Sequence, residues 1–147
     1  MKTGMNVLTR DFGEIEVETN QIVNFRQPVF GFDDFQQYVI LHDSEAGDGI
    51  AWLQSIEEPG LCFILVSARS IEAAYHPQLP AGLDRIIGEG ETECWLIAVV
   101  QDELAKSTIN LKSPIYINWK TGFGAQVILD GDYPVRHPLM GEAEEKC

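Results

Sequence analysis

The stretch STINLKSPIYINWKTGFGAQVILDGDYPVRHPL, residues 107–139, is the most tightly specified part of the chain. Polar and apolar residues alternate at 108–112 and again at 115–118, a pattern typical of short strands with one buried face. The pair Ser113-Pro114 separates the two segments, and proline has no amide hydrogen to donate inside a central strand. The pattern predicts either a hairpin or, as the preferred interpretation, one strand broken at a bulge.

The end of this stretch, residues 133–139, contains two prolines that restrict the backbone to extended conformations. We therefore predict a stiff arm and not a helix. The arm either docks on its own domain or presents Arg136 and His137 to a partner protein. Tyr133 and Trp119 are further interface candidates, because aromatic residues and arginine are enriched at binding hot spots. The alternative for Trp119 is a core-lining position in a hairpin.

Strand patterns continue through the rest of the chain and indicate a mainly β protein. They lie at residues 13–17, 21–25, 38–41, 51–55, 61–66, 95–100 and 125–129. Short helices are predicted at 33–38 and 80–87, which begin with residues suited to a helix start. Many short strands favour closure, which removes exposed sheet edges. We predict a small antiparallel β-barrel-like single domain over residues 1–140 with one or two short helices, and a flexible acidic tail at 141–147; a two-sheet sandwich is the alternative.

Length and composition are those of a single soluble domain. The 147 residues are 45% hydrophobic and 22% charged, and a chain of this length buries roughly 68–70% of its surface on folding. The longest apolar runs, 61–66 and 95–100, are far shorter than the ~20 residues that span a bilayer, and no secretory signal is visible. We predict a cytoplasmic protein in which Cys62 and Cys94 are reduced and structural.

The net charge of -13 is unevenly distributed along the chain. Acidic residues outnumber basic ones eleven to one between Asp11 and Glu58, whereas residues 104–129 contain three lysines and no acid. An acidic surface repels phosphate backbones and attracts basic proteins. Direct binding of nucleic acid is therefore not expected, and a basic protein partner is.

No residue set in the sequence predicts catalysis, a metal or a cofactor. The histidines His42, His76 and His137 lie far apart, and none has a second histidine or a cysteine at the spacing of a zinc site. Paired acids such as Asp33-Asp34 and Glu57-Glu58 lie in predicted turns and are expected to face water. A small-ligand-binding or hydrolytic β-barrel protein is the alternative class and requires a deep pocket with His42 or convergent carboxylates. A structural dimer is a third possibility.

Several motifs, in order along nearly the whole chain, resemble those of the flagellar assembly factor FliW family. They are Asp11-Phe12-Gly13-Glu14, Phe25 with Gly31-Phe32-Asp33, Trp52-Leu53-Gln54-Ser55 with Glu58-Pro59, Asn110-Leu111-Lys112-Ser113-Pro114-Ile115, and Asp132-Tyr133-Pro134-Val135-Arg136-His137-Pro138-Leu139. The chain departs from the family pattern at Pro28, where relatives have a glycine-like turn position. Proline fixes φ where glycine is free, so the loop there is expected to follow another path.

The resemblance implies a barrel-like protein without catalytic activity whose partners are flagellin and the RNA-binding regulator CsrA. In that scheme flagellin stays bound to the factor until the flagellin is exported. The released factor then binds CsrA and relieves repression of flagellin translation. We hypothesise that four acidic residues contribute to CsrA binding and that three C-terminal residues form a partner-facing or surface-shaping patch. The first set is Asp33, Asp34, Glu57 and Glu58; the second is Tyr133, Arg136 and His137.

Overall fold

The computed structural model describes residues 4–43, 45, 47, 49–71, 75, 77, 79–100, 102 and 106–138. His76, Leu139 and the predicted tail at 141–147 lie outside these residues. No helix in the described part of the chain is long and apolar enough to cross a membrane.

The regular secondary structure of the described chain is almost entirely β-strand, with one short helix. The strands are β1 (Gly4–Leu8), β2 (Glu14–Glu18), β3 (Ile22–Gln27), β4 (Gln37–Leu41), β5 (Ile50–Ser55), β6 (Cys62–Ser67), β7 (Glu93–Val99), β8 (Thr108–Ile109), β9 (Ile115–Asn118), β10 (Phe123–Gln126) and β11 (His137–Pro138). The helix α1 spans Leu83–Ile87, and single 3-10 turns lie at Thr19–Gln21 and Ala68–Ser70.

Seven strands close into a barrel, which confirms the predicted fold class. The order around the barrel is β3, β4, β5, β6, β7, β9 and β10, and β10 returns to pair with β3. Every neighbouring pair is antiparallel except β3 and β10, which run parallel. Strands that alternate in direction around a ring of seven must leave one pair running the same way. The parallel pair is therefore a consequence of closing an odd-numbered barrel.

The segment around Ser113-Pro114 is a break within one strand, as preferred from the sequence. Both β8 and β9 pair with β7, with Ile109 opposite Ala98 and Ile115 opposite Trp95. Residues 110–114 thus lie opposite only residues 96 and 97 of β7. The Asn110 side-chain oxygen accepts hydrogen bonds from the backbone amides of residues 112 and 113, both 3.0 Å long, and this stabilises the bulge.

Apolar residues fill the barrel and continue over three of its outer sides. Inside lie fully buried side chains from most of the strands, among them Tyr38, Leu53, Leu65, Ile115 and Ile117. Outside, the β1–β2 hairpin covers β4 and β5, helix α1 covers β9 and β10, and the arm that leads to β11 covers β7 and β8. The barrel wall is consequently buried on both faces over much of its circumference.

Two helix predictions need correction. Residues 33–38 form turns and the start of β4 and no helix, because Phe32 and Phe35 pack against the barrel core from an irregular loop. The helix predicted at 80–87 begins only at Leu83, since Gly82 before it has a left-handed φ of 83°.

Two strand predictions also differ from the structure. The sequence patterns do not predict β1, and the strand predicted at 125–129 is β10, which ends at Gln126.

Candidate partner-binding surfaces

The two acidic pairs singled out in the sequence meet at one end of the barrel, which we name the acidic end (Asp33, Asp34, Glu57 and Glu58). The first pair precedes β4 and the second lies in the turn between β5 and β6. One Glu57 carboxylate oxygen accepts hydrogen bonds from the backbone amides of Gln36 (2.7 Å) and Gln37 (3.0 Å), which joins the two loops. All four acidic side chains are exposed. The fold therefore places two exposed acidic pairs that are distant in sequence on adjoining loops.

Aromatic rings fill the barrel directly beneath the acidic end. The Phe32 and Phe63 rings meet edge to face with centroids 5.1 Å apart, and the Phe25 and Tyr38 rings do so at the same distance. Tyr38 is fully buried, and its hydroxyl has no hydrogen-bond partner among the described residues. Phe30 stays 43% exposed, so only part of the phenylalanine cluster at 25–35 contributes to the core. The acidic loops thus rest on a packed aromatic base.

Two buried glutamines fix the loops of this end: Gln54 is part of a motif named above but had no predicted role, and Gln126 was not singled out by the sequence. The side chain of Gln54, with no exposed surface, accepts from the Arg10 amide at 2.9 Å and donates to the Pro59 carbonyl at 3.0 Å. The side chain of Gln126 accepts from the Phe30 amide at 2.8 Å and donates to the Ser113 carbonyl at 3.0 Å. The sequence signal for such residues is a glutamine at a strand position that faces the interior or lies in the barrel wall. A buried side-chain amide is expected to be hydrogen bonded, so such a glutamine is expected to hold a neighbouring segment.

The loop that contains Pro28 is held in place by these contacts. Gln126 anchors Phe30, and the amide of Phe32 bonds to the carbonyl of Val29 at 2.9 Å. The left-handed conformation that proline cannot adopt occurs at Gly31, with φ of 89°. A turn glycine is thus present, three residues beyond Pro28.

The C-terminal arm docks on its own domain. Strand β11 pairs with β8, and the amide of Leu111 donates to the Pro134 carbonyl at 3.0 Å. The half-buried Tyr133 ring meets the Tyr75 ring edge to face at 5.5 Å, while the Tyr75 hydroxyl donates to the Leu111 carbonyl at 2.9 Å. Arg136 is exposed and His137 half-buried. The arm therefore packs against the barrel wall and leaves Arg136 in solvent.

The arm and the acidic end are built from different parts of the sheet. In the sheet, β7 and β8 lie between β6, which borders the acidic end, and β11. Trp119 belongs to neither surface: it lies in the turn between β9 and β10, is 39% exposed and donates its indole N–H to Glu93 at 2.7 Å. A core-lining position for Trp119 is therefore wrong. The Glu57 contacts join the loops of the four acids, and no hydrogen bond among the described residues joins Tyr133, Arg136 or His137 to these loops.

An open cavity of about 420 Å³ lies at the opposite end of the barrel. His42, at the end of β4, contributes to its wall and lies 6.1 Å from the Trp95 ring. Glu93, also in the wall, accepts the indole N–H groups of Trp95 (3.1 Å) and Trp119 (2.7 Å) with one oxygen. Tryptophans thus engage both the histidine and the carboxylate. Among the described residues, no group of three His, Cys, Asp or Glu side chains is placed to hold a metal ion.

Burial affects the titration of several thiol and phenol groups. It raises the pKa of Cys62 and of Cys94 to about 11 and that of Tyr38 to about 12. Both thiols are free. The folded chain therefore keeps these groups neutral at a pH where the unfolded chain ionises them.

This difference predicts a loss of stability at alkaline pH. Because the folded pKa values exceed the unfolded ones, the stabilisation is complete below about pH 9 and is lost as the pH rises toward 11. The free energy of unfolding from urea titrations should be lower at pH 10.5 than at pH 8 by on the order of 2 kcal/mol. A Cys62→Ala/Cys94→Ala variant should show a shallower decline, and an unchanged slope in that variant would contradict the assignment to the thiols.

Comparison with known proteins identifies the family. The sequence profile of the FliW protein family matches residues 6–139. The flagellar assembly factor FliW of Ruminiclostridium cellulolyticum is 34% identical over 147 residues, covering 97% of this chain and 99% of that protein. The FliW of Lachnospira eligens is 33% identical over 142 residues, covering 92% and 94% of the two chains.

A solved structure agrees with the sequence comparison. A crystal structure of the flagellar assembly factor FliW superposes with a TM-score of 0.83 at 32% sequence identity, over 94% of this chain and 99% of the other. The resemblance in the motifs, the matched profile and the shared barrel all point the same way. This chain belongs to the FliW family of flagellar assembly factors.

Proposed function

We propose that this chain is a non-catalytic, cytoplasmic assembly factor that binds flagellin and the translational regulator CsrA in exchange. Occupied by flagellin, it leaves CsrA free to repress flagellin translation; once flagellin is exported, it binds CsrA and relieves that repression. The observation that favours a basic protein partner is the acidic end, where four carboxylates from two separate loops form one exposed surface.

The charge of the chain favours a basic RNA-binding protein as the partner for this surface. A net charge of -13 disfavours contact with nucleic acid itself. It attracts a basic protein over long range and raises the association rate more than the affinity. An acidic factor can therefore compete for an RNA-binding protein without binding RNA.

The four carboxylates of the acidic end differ in their proposed roles. Glu57 holds the two loops together through the amides of Gln36 and Gln37, so it positions the surface. The side chains of Asp33 and Asp34 project from the neighbouring loop and are assigned to direct pairing with basic groups of CsrA. Glu58, which also accepts the Gly60 amide at 3.3 Å, joins them from the β5–β6 turn.

The C-terminal patch is proposed to combine two roles. Tyr133 shapes the surface by packing on Tyr75, whereas the exposed Arg136 is the partner-facing member. His137 is half-buried and is paired opposite Ile109 of β8, so it can contribute both to the shape of the surface and to contact with a partner. Because this patch and the acidic end are built from different parts of the sheet, exchange of the two partners requires a linked conformational change or partners that overlap when bound.

A displacement experiment tests the proposed exchange. The purified chain is immobilised and loaded with purified CsrA, and purified flagellin monomer is then added. We expect flagellin to release CsrA, and CsrA in excess to release flagellin. Failure of the chain to bind either protein would refute the proposal, and simultaneous binding of both would refute the exchange.

A further inference from the structure

The β1–β2 hairpin lies on the outside of the barrel as a separate two-stranded sheet. Val7 and Val17, each 2% exposed, face the barrel wall. The side chains of the alternate residues, such as Glu14 and Glu16, face solvent. At the tip, the Arg10 amide donates to the Gln54 side chain at 2.9 Å, and the Arg10 guanidinium donates to the Cys62 carbonyl at the same distance. The hairpin is therefore fixed at its tip and along one face.

The register of the hairpin determines which backbone amide and carbonyl groups form no hydrogen bond between β1 and β2. The Thr9 amide donates to the Gly13 carbonyl at 2.9 Å, and the pairs Val7 with Ile15 and Met5 with Val17 continue the same alternation. In an antiparallel ladder the intervening residues turn their amide and carbonyl groups away from the partner strand. On β2 these are Glu14, Glu16 and Glu18, and the Glu18 amide indeed donates outward to the Gln21 side chain at 2.8 Å.

The outer edge of β2 is consequently open at Glu14 and Glu16. Within the described chain β2 pairs only with β1, and no hydrogen bond engages the amide or carbonyl of either glutamate. Their outward groups lie roughly 6.8 Å apart, the repeat at which a further strand would bond. Open edges of this kind are templates for strand addition.

Charge decides which strand fits this edge. The side chains of Glu14 and Glu16 stand on the outer face at the same two positions whose backbone groups are unbonded. A second copy of this edge would place carboxylates opposite carboxylates, which disfavours self-pairing. A segment with Lys or Arg at alternate positions would instead set an ammonium or guanidinium group opposite each carboxylate. The corresponding outer edge of β1 has Gly4, Asn6 and Leu8 and no such charge.

We propose that the outer edge of β2 binds an extended basic segment of a protein partner by strand addition. The amides and carbonyls of Glu14 and Glu16 bond to the backbone of the added strand, while their carboxylates pair with basic side chains two residues apart. The partner chemistry is an exposed strand or tail with alternating lysine or arginine. This surface goes beyond the acidic end, which lies on the loops before β4 and after β5.

The test uses a synthetic peptide of alternating lysine and threonine, with an alternating glutamate and threonine peptide as control. Amide exchange is followed by NMR on the full chain. We expect the lysine peptide to slow exchange at the Glu14 and Glu16 amides by about tenfold or more, and the glutamate peptide to leave it unchanged. Protection at Asn6 and Leu8 instead, or at no hairpin amide, would overturn the proposal.

Variants of Glu16 separate backbone pairing from charge, because Glu16→Pro removes both the outward amide and the carboxylate, whereas Glu16→Gln removes only the charge. Glu16→Pro removes one outward amide without removing a β1–β2 hydrogen bond, and Asn6→Pro does the same on the other edge. The dissociation constant of the lysine peptide should rise about tenfold from Glu16→Gln to Glu16→Pro and stay within about twofold of the parent value in Asn6→Pro. Glu14→Gln/Glu16→Gln keeps the backbone donors and acceptors and should weaken peptide binding relative to the parent chain. This loss should shrink as salt is added. Equal binding by both proline variants would contradict strand addition at β2, even if both melt like the parent chain.

Discussion

Reversing Asp33, Asp34 and Glu58 to lysine is expected to weaken CsrA binding by roughly 30-fold or more at low ionic strength. The three exposed carboxylates lie on one surface, so the reversal replaces attraction by repulsion at every one of them. Glu57 is left unchanged because its carboxylate holds the backbone of residues 36 and 37. Titration calorimetry of the variant against purified CsrA measures the loss, which should shrink as salt is added.

The matched control reverses three exposed acids elsewhere, Asp84, Glu91 and Asp130. Each reversal adds two charges, so both triple variants change the net charge from -13 to -7. If the local surface matters, the control should lose only a few-fold in affinity. Equal losses in the two variants would show that CsrA responds to total charge and not to the acidic end.

Replacing Tyr133 by alanine is expected to lower the free energy of unfolding by about 2–3 kcal/mol. The ring packs on Tyr75 and on the apolar cluster between β7, β8 and the arm, and alanine leaves that contact empty. For a chain of this size the melting temperature should fall by about 5–10 °C. Urea unfolding and thermal melts of the variant measure both quantities.

Arg136→Ala is the control for this prediction, because Arg136 is exposed on the same arm. Its stability should stay within about 0.5 kcal/mol of the parent chain. If Tyr133→Ala melts like the parent chain, the arm does not stabilise the barrel. If Tyr133→Ala binds both partners normally below its melting temperature, Tyr133 has a structural role and Arg136 remains the candidate contact.

Local sequence signals were sufficient for most of the barrel strands and for the broken segment. Period-two alternation located most of the barrel strands, and Pro114 predicted the break because its missing amide is a local property. Sequence patterns do not predict β1, because Gly4-Met5-Asn6-Val7-Leu8 has few β-branched residues. This segment is stabilised as a strand by pairing with β2. The parallel β3–β10 pair depends on the number of strands in the closed ring, which no single segment specifies.

Tertiary contacts account for the helix that was predicted at 33–38 and is not formed. An acidic pair before apolar residues resembles a helix start. In the structure, however, Phe32 and Phe35 pack against the core, and the Glu57 carboxylate accepts hydrogen bonds from the amides of residues 36 and 37. Such contacts come from residues far along the chain. Propensity alone cannot weigh them.

For the candidate site, the sequence identified the residues but not their arrangement. Asp33-Asp34 and Glu57-Glu58 were selected by charge, and only the pairing of β4 with β5 places them at one end of the barrel. No local pattern indicates where the patch around Arg136 lies relative to them, because its position depends on the sheet order from β6 through β7 and β8 to β11. Gln54 was overlooked because its partners at residues 10, 59 and 61 are brought to it by three different turns.

The exchange of partners is tested most directly by measuring CsrA binding to this chain at increasing concentrations of flagellin. Fluorescently labelled CsrA at a fixed concentration is titrated with the chain, and its anisotropy gives an apparent dissociation constant at each flagellin concentration. Exchange predicts that this constant rises in proportion to flagellin once flagellin exceeds its own dissociation constant. An apparent constant that does not change with flagellin, although flagellin binds the chain in the same buffer, would contradict the account.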